Sequence, residues 1–431
     1  MATSEPTRQV SRRRFLGAAA TAGLAGPALA ACSRAPKQQG AGGGAGTFTI
    51  YWNAGHVYDA YKDVITKFEK DHDVTVNWQK FQWEDLTTKL QADLASGNVP
   101  DLVEYPGGDT LMSLTKTGDV LALEKYIAKD GKKIGYPDDW NSQAVETWKY
   151  QDKIYGVQLH LTCVQLYYNK SMLDDAGISK FPETWDEMLD AAKELTGKGK
   201  YGLALNQDYT YSYPWLLQNG VTSYDPSSKT VLAPNDAAIE ATQFQKDLVH
   251  KYKVSPVPTP SSDYSRPQKL LSAKRVAMIL TGPWDIGPIR QGSPDLDLGL
   301  ALPLKHKVRS THFAGSGVMI PKEAKNADLA WDLIKRMTSL EVELKVTKEA
   351  GQTMPRKSWA EQKEVKSDPI MRTMAEALEY AVDWWRPLAK TGKTPQVGDA
   401  YKTFYQSVVL KGTDPAKAMP TFLQASKQAL S

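Results

Sequence analysis

Cysteine is nearly missing from this sequence: its 431 residues hold two, Cys32 and Cys163. That scarcity excludes a disulfide scaffold and any zinc or iron–sulfur centre built on cysteine. A charge excess is also lacking, with 53 Lys and Arg against 49 Asp and Glu. Most of the small positive surplus sits in the first 31 residues, where Arg8, Arg12, Arg13 and Arg14 face only Glu5. A body so close to neutral argues against a nucleic-acid partner, which would require a basic stripe. No internal repeat is present. Phenylalanine is scarce, at 9 residues, beside 12 Trp and 20 Tyr. Trp and Tyr join a flat apolar face to a polar handle, a combination suited to amphipathic ligands. Hydrophobic residues at 41% and charged residues at 24% are ordinary for a soluble globular protein. The body exceeds what one core usually spans, so two or three domains are expected.

The N-terminus reads as an address. Ser11-Arg12-Arg13-Arg14-Phe15-Leu16 resembles the twin-arginine export motif, and an uncharged run rich in Gly and Ala follows. The run ends in Leu29-Ala30-Ala31-Cys32, which matches the bacterial lipobox. It is short for a membrane span and contains Pro27 and several Gly. Residues 1–31 are therefore expected to be a signal peptide, with Cys32 lipidated and the protein anchored to the outer face of the cytoplasmic membrane. No ATP or NAD is available there, and no cofactor is expected. Residues 32–46 have the composition of a flexible tether. Their Gly42-Gly43-Gly44 lacks the strand before and helix after that a phosphate loop needs.

In the body, residues 47–53 read as a strand. Residues 58–71 read as a helix, with Tyr61, Val64, Ile65 and Phe68 at helical spacing. Further strands are expected at 73–78, 100–105, 154–159, 164–169, 275–280, 297–301 and 317–320, and further helices at 84–96, 184–195 and 235–250. Thr184 and Glu187 form a capping box, and beyond Pro321 the pattern is almost wholly helical. Strands alternating with helices imply an α/β fold with a mainly parallel sheet. Ligands of such sheets sit at the carboxyl ends of strands. Those ends carry Trp52, Asn53, Tyr105 and Asp109. The strand and helix order does not break at one linker, which fits two interleaved lobes.

Four segments resemble the family 1 extracellular solute-binding proteins of ABC importers, the group that contains maltose- and other sugar-binding proteins. They are Pro100-Asp-Leu-Val-Glu-Tyr-Pro-Gly-Gly-Asp109; Leu166-Tyr-Tyr-Asn-Lys-Ser-Met-Leu-Asp-Asp-Ala-Gly-Ile178 with Pro182-Glu-Thr-Trp-Asp-Glu187; Lys274-Arg-Val-Ala-Met-Ile-Leu-Thr-Gly-Pro-Trp284; and Gly315-Ser-Gly-Val-Met-Ile-Pro321 with Ala327-Asp-Leu-Ala-Trp331. The resemblance implies a two-lobed periplasmic-binding-protein fold of type II whose chain crosses the hinge three times. By analogy one lobe comprises residues 47–161 plus 318–356, and the other 162–317 plus 357–431.

A sugar cleft needs aromatic platforms ringed by hydrogen-bonding groups, because each buried hydroxyl left unpaired costs about 1–3 kcal/mol. The resemblance assigns Trp284, after Gly282-Pro283, to a stacking wall. The segment 206–215 alternates aromatic and polar groups, and Asn206, Asp208, Tyr209 and Trp215 are its candidates. His160 and Thr162 lie on the segment approaching the hinge. In the cluster Asp383-Trp384-Trp385-Arg386-Pro387 one Trp is expected to pack while the other, with Arg386, reaches the cleft; Trp384 and Arg386 are the candidates, and Tyr401 is a further one by analogy. Asp71-His72-Asp73 reads as a solvated helix end rather than a metal site, and Cys163 as an inert buried thiol. No metal site is expected.

The expected function is capture of a carbohydrate or related polyol between two closing lobes, for delivery to ABC permease subunits. The protein would act as a monomer without covalent chemistry. A secreted glycoside-active enzyme is the rival from another class. It would require two carboxyls about 5–10 Å apart, and no single segment presents such a pair. The same fold holding a glycerophosphodiester, polyamine or peptide is the second rival, and Arg386 keeps an anionic ligand open.

Overall fold

The computed structural model describes residues 46–260 and 264–431, without the side chains of Glu84, Asp109 and Thr110. The expected signal peptide, the lipidation site Cys32 and nearly all of the tether lie outside the described residues. Strand β1 (Gly46–Asn53) leads to helix α1 (Asp59–His72), strand β2 (Val74–Phe81), helix α2 (Trp83–Ser96), strand β3 (Leu102–Tyr105) and helix α3 (Gly108–Thr117). Tyr61, Ile65 and Phe68 of α1 recur at helical spacing, and all three are buried. They cover Phe48 and Ile50 of β1 in one continuous apolar cluster.

Strand β4 (Val157–Cys163) is followed after one residue by β5 (Gln165–Asn169). Next come helix α4 (Trp185–Glu194), strand β6 (Tyr201–Ala204), helix α5 (Asn235–His250), and strands β7 (Val276–Thr281), β8 (Leu298–Leu300) and β9 (Thr311–Met319). Helices α6 (Ala327–Met337) and α7 (Leu340–Ala350), the short strand β10 (Ala381–Val382), α8 (Thr394–Tyr405) and α9 (Pro415–Leu430) complete the framework. The expected capping box opens α4, with Thr184 and Glu187 each bonding the other's backbone N–H. Asp414 caps α9 and Pro415 occupies its first turn.

The strands form two main sheets. The first runs β10-β9-β3-β1-β2, with β4 also paired to β9, and the second runs β8-β5-β7-β6. β1 is parallel to β2 and β3, and β7 to β6. β9 is antiparallel to both β3 and β4, and β5 to both β7 and β8. The sheets are therefore mixed, not mainly parallel. The reason is traffic: β4 takes the chain toward the second sheet and β9 brings it back, so the two lie antiparallel.

β9 is also longer than the expected 317–320. Its first half contains Gly315 and a single large apolar side chain, Phe313, so it shows no strand signal of its own before Val318. Gly315 is required there. Its φ is +144°, and a Cβ would stand 2.0 Å from the carbonyl oxygen of His160. Strand β6 and the small hairpin at 222–233 were not legible as strands. Among the described residues no helix is long and apolar enough to cross a membrane.

Candidate functional site

β1 and β3 end side by side, and their loops open on the same edge of the first sheet. After β1, Asn53 Oδ1 accepts from Gly55 N–H at 2.8 Å and starts a short 3-10 turn that ends at His56. After β3, Gly107 (φ +77°) and Gly108 (φ +61°) turn the chain into α3. A Cβ at Gly108 would lie 3.5 Å from Asp383 Oδ2, so this loop meets the segment that follows β10. A cleft of about 450 Å3 lies between them. One bank presents Gly108, Lys116, Glu146 and Lys149, and the other Asp383, Arg386 and Lys390. The banks are bridged by an Arg386–Glu146 ion pair at 3.0 Å and by Lys116 Nζ donating to the Lys390 carbonyl at 3.3 Å.

Beside Asp383 stands an aromatic wall. Tyr209 is half-buried and sets its edge against Tyr213 and Tyr401, with ring centroids 6.1 and 6.0 Å apart. A Cβ at Gly398 would lie 3.6 Å from the Tyr209 hydroxyl and 3.8 Å from the Trp385 ring, so Tyr209 and Trp385 flank one small residue. Trp384 and Trp385 face different surroundings. Trp384 is 1% exposed and stacks on Tyr213 at 5.0 Å, whereas Trp385 is half-buried and meets Tyr213 edge-on at 5.4 Å. Trp284, at the end of β7, is also half-buried. Its six-membered ring folds back over Gly282, where a Cβ would come within 2.3 Å of it. Glycine at 282 therefore sets the Trp284 orientation.

The expected site residues fall into three groups. Tyr209 stands in the half-buried wall, Arg386 lines the cleft, and Trp284 is half-buried just past the end of β7. Asn53, Asn206 and Asp208 shape loops. Asn206 Nδ2 donates to the Tyr264 carbonyl, its Oδ1 accepts from Asp208 N–H, and Asp208 caps the turn at Tyr209–Ser212. The third group lies in packed interiors. Trp52 is wholly buried against Tyr61 and Trp78, its indole donating to the His56 carbonyl. Tyr105 lies in a buried cluster with Leu86, Leu90 and Trp148. Trp215 packs edge-on against Trp185. Trp384 and Tyr401 belong to the same core, with the Tyr401 hydroxyl 2.6 Å from Ser212 Oγ. Thr162 and His160 are buried on β4, and His160 is bonded to Tyr61 and Ser316. Apart from the small Thr162, these are aromatic or hydrogen-bonded side chains turned inward from strands, from helices and, for Trp384, from the turn after β10. The Asp109 side chain lies outside the described residues.

Sequence reading named Trp385 and Asp383 only as members of the 383–387 cluster and did not single out Glu146, His56 or Glu104. Trp385 was visible in the Trp-Trp pair, but adjacency does not tell which ring faces out. Glu104 carried a signal: it is a carboxylate inside the buried strand Leu-Val-Glu-Tyr.

Burial acts on two carboxyls of the wall. Asp383 is pushed up, with the N–H groups of Trp385 and Arg386 and the Arg386 charge opposing. Asp285, next to Trp284, is pushed up to about 6 by burial, while Thr281 Oγ1 at 2.5 Å opposes the shift. A folded-state value above the unfolded one means that the native state holds this proton more tightly, so stability falls as pH rises from about 4 to 6. The expected loss across this window is about 2 kcal/mol. Asp285→Asn should abolish that loss, and urea unfolding of both proteins at the two ends of this window measures it. Equal pH slopes would contradict the assignment.

The sequence profile of the bacterial extracellular solute-binding proteins matches residues 63–373, well over half of the chain. This chain belongs to that family. The solute-binding protein is similar to the galactooligosaccharide-binding protein of Bacillus subtilis, at 21% identity over 408 residues, covering 93% of each chain. It is also similar to the maltooligosaccharide ABC transporter solute-binding lipoprotein of Streptococcus pneumoniae, at 25% identity over 350 residues, covering 76% of this chain and 78% of that one. Among solved structures, an ABC transporter solute-binding protein of Thermotoga lettingae bound with alpha-D-tagatose superposes with a TM-score of 0.78 at 26% identity. That match covers 89% of this solute-binding protein and 100% of the other. The fold is the maltose-binding type of periplasmic binding fold, as expected.

Proposed function

We propose that this solute-binding protein captures an oligosaccharide in the cleft and delivers it to the permease of an ABC importer. The observation that carries this reading is the wall itself: the half-buried rings of Tyr209 and Trp385, which flank Gly398, stand next to Asp383 of a polar cleft that residues of both lobes line. Flat rings accept the C–H faces of a sugar, and the polar rim meets its hydroxyls. The protein holds its ligand without covalent chemistry. The two lobes are residues 47–161 plus 318–356 and residues 162–317 plus 357–431, turning on β4 and β9. Closure is selected by the ligand because only the closed form makes both sets of contacts. The relatives named for galactooligosaccharide and maltooligosaccharide support a sugar over a polyamine, peptide or glycerophosphodiester.

A thermal-shift series over mono-, di- and oligosaccharides, polyamines, peptides and glycerophosphodiesters tests the reading. A ligand at one hundred times its Kd adds about 2.7 kcal/mol of stability and raises the midpoint by several degrees. A shift with polyamine or phosphodiester and none with any sugar would overturn it. The protein acts as a monomer anchored by lipid on Cys32 at the outer face of the cytoplasmic membrane. Cys32→Ser should release it from the membrane fraction, and retention of that variant would refute the anchor.

A further inference from the structure

Glu104 is a carboxylate with 0% exposure in the middle of the first sheet, and the carbohydrate reading gives it no task. Its surroundings are specific. Oε2 accepts the backbone N–H of Asn53 at 2.9 Å. Oε1 accepts Ser316 Oγ at 2.5 Å and faces His56 Nδ1 at 2.5 Å. Ser316 Oγ in turn lies 3.1 Å from His160 Nδ1, and His160 Nε2 lies 2.9 Å from the Tyr61 hydroxyl. The chain of contacts joins the loop after β1, strand β3, and both strands that carry the chain between the sheets.

These contacts fix the direction of every proton. A carboxylate only accepts, so Ser316 gives its hydroxyl proton to Glu104 and must accept from His160. His160 therefore carries its proton on Nδ1 and receives the Tyr61 O–H on Nε2. Burial, together with the neighbouring His56, holds the His160 imidazolium well below its ordinary value and keeps that ring neutral. By the same rule His56 carries a proton on Nδ1. Of the two rings only His56 reaches solvent, with 16% of its side chain exposed against 1% for His160. It stands edge-on to the half-buried Trp83, on the strand-end edge shared with the Gly107–Gly108 loop of the cleft.

We propose that Glu104 is a positioning residue for ligand capture: it grips His56 by Nδ1, so that Nε2 is the nitrogen presented to a ligand hydroxyl. The same carboxylate ties that ring to β4 and β9 through Ser316 and His160. This role rests on the carbohydrate reading of the cleft. The three side chains also resemble a metal-ligand set, with donor atoms all within 4.8 Å of one another. The distances favour hydrogen bonds. Two ligands on a tetrahedral zinc with bonds of 2.0–2.1 Å stand about 3.3 Å apart, whereas His56 and Glu104 are at 2.5 Å.

Glu104→Gln tests the role, because the amide has one way to fit. The Asn53 N–H is backbone and cannot reverse, so the Gln oxygen must face it and the Gln NH2 must face His56 and Ser316. His56 then answers by moving its proton to Nε2. Nitrogen-15 spectra of the imidazoles, recorded about two units above the ordinary histidine value of about 6.5, should show Nδ1–H for His56 and His160 in the wild-type protein. In Glu104→Gln, His56 should show Nε2–H. Calorimetry with the tightest sugar from the thermal-shift series should show an affinity loss of about tenfold or more, the usual scale for removing an orienting partner. A wild-type His56 carrying Nε2–H would overturn the proposal without any variant. A stoichiometric Zn2+ site in the wild-type protein, lost in His56→Gln, would overturn it in favour of a metal. Sugar binding within about twofold of wild type in Glu104→Gln would remove the positioning role alone. Failure of the wild-type protein to bind any sugar would remove the functional reading, and this role with it.

Discussion

Trp385→Ala should lower the affinity for the captured oligosaccharide by about tenfold or more while leaving the unfolding free energy nearly unchanged, and Trp384→Ala should do the reverse. The two rings are neighbours in sequence and opposite in environment. Trp384 is 1% exposed, stacks on Tyr213 with an interplanar angle of 16°, and belongs to the apolar cluster of Trp215, Val397 and Tyr405. Removing it leaves a cavity among side chains already fixed by one another, at a cost of about 3–5 kcal/mol. Trp385 meets Tyr213 edge-on at 5.4 Å and keeps part of its surface free beside Asp383 of the cleft. A ligand ring stacked there loses an aromatic face worth about 0.5–1.5 kcal/mol beyond its buried area, and 1.4 kcal/mol is tenfold. Calorimetry and urea unfolding on both variants separate the two roles. Loss of stability without loss of affinity in Trp385→Ala would move the ligand wall elsewhere.

Arg356→Ala should cost about 3–5 kcal/mol of stability, the scale for breaking a buried charged pair on one side. The guanidinium is 8% exposed and uses nearly every donor. Nε and Nη2 donate to the Thr338 carbonyl at 2.9 and 2.7 Å, just past the end of α6, and Nη1 donates to the Ile134 carbonyl and to Asp139, both at 2.9 Å. The plane lies over the Trp140 ring, 4.0 Å from its centroid. Burial pushes the Asp139 carboxyl up, but the Ser358 hydroxyl and N–H together with Arg356 outweigh it and hold the carboxyl below the ordinary range. Glu343, 3.5 Å from Arg356 Nε, receives no hydrogen bond from it, and burial holds that carboxyl well above the ordinary range. Removing the arginine strips Asp139 of its cation and leaves two carbonyls without their donors. Arg356→Lys keeps the charge but cannot reproduce the fork on Thr338, so it should recover only part of the loss. Urea unfolding of the three proteins gives the comparison, and a loss under about 1 kcal/mol for the alanine variant would contradict it.

The elements with strong periodicity were legible. The apolar stripe of α1, the capping box of α4 and the Asp414-Pro415 start of α9 are local features, and local chemistry decides them. β9 was only half legible because Gly315 and Ser316 face neighbours brought from β3 and β4, and no sequence window contains those neighbours. The same limit governed the site. Tyr209, Trp284 and Arg386 sit at loop turns where local signals point outward. Trp52, Trp215 and Tyr401 have the same composition, yet packing against distant helices and strands buries them.

By itself, then, the sequence determined the family, the alternation of strands and helices, and the aromatic character of the proposed ligand wall, because periodicity, turn residues and residue type are properties of short stretches. The tertiary structure decided which tryptophan of a pair is a wall and which is core, the mixed sense of the sheets, and the meeting of Glu104 with His56, Ser316 and His160. Those depend on where the chain returns in space, and burial and hydrogen bonding act on whatever that return brings within reach.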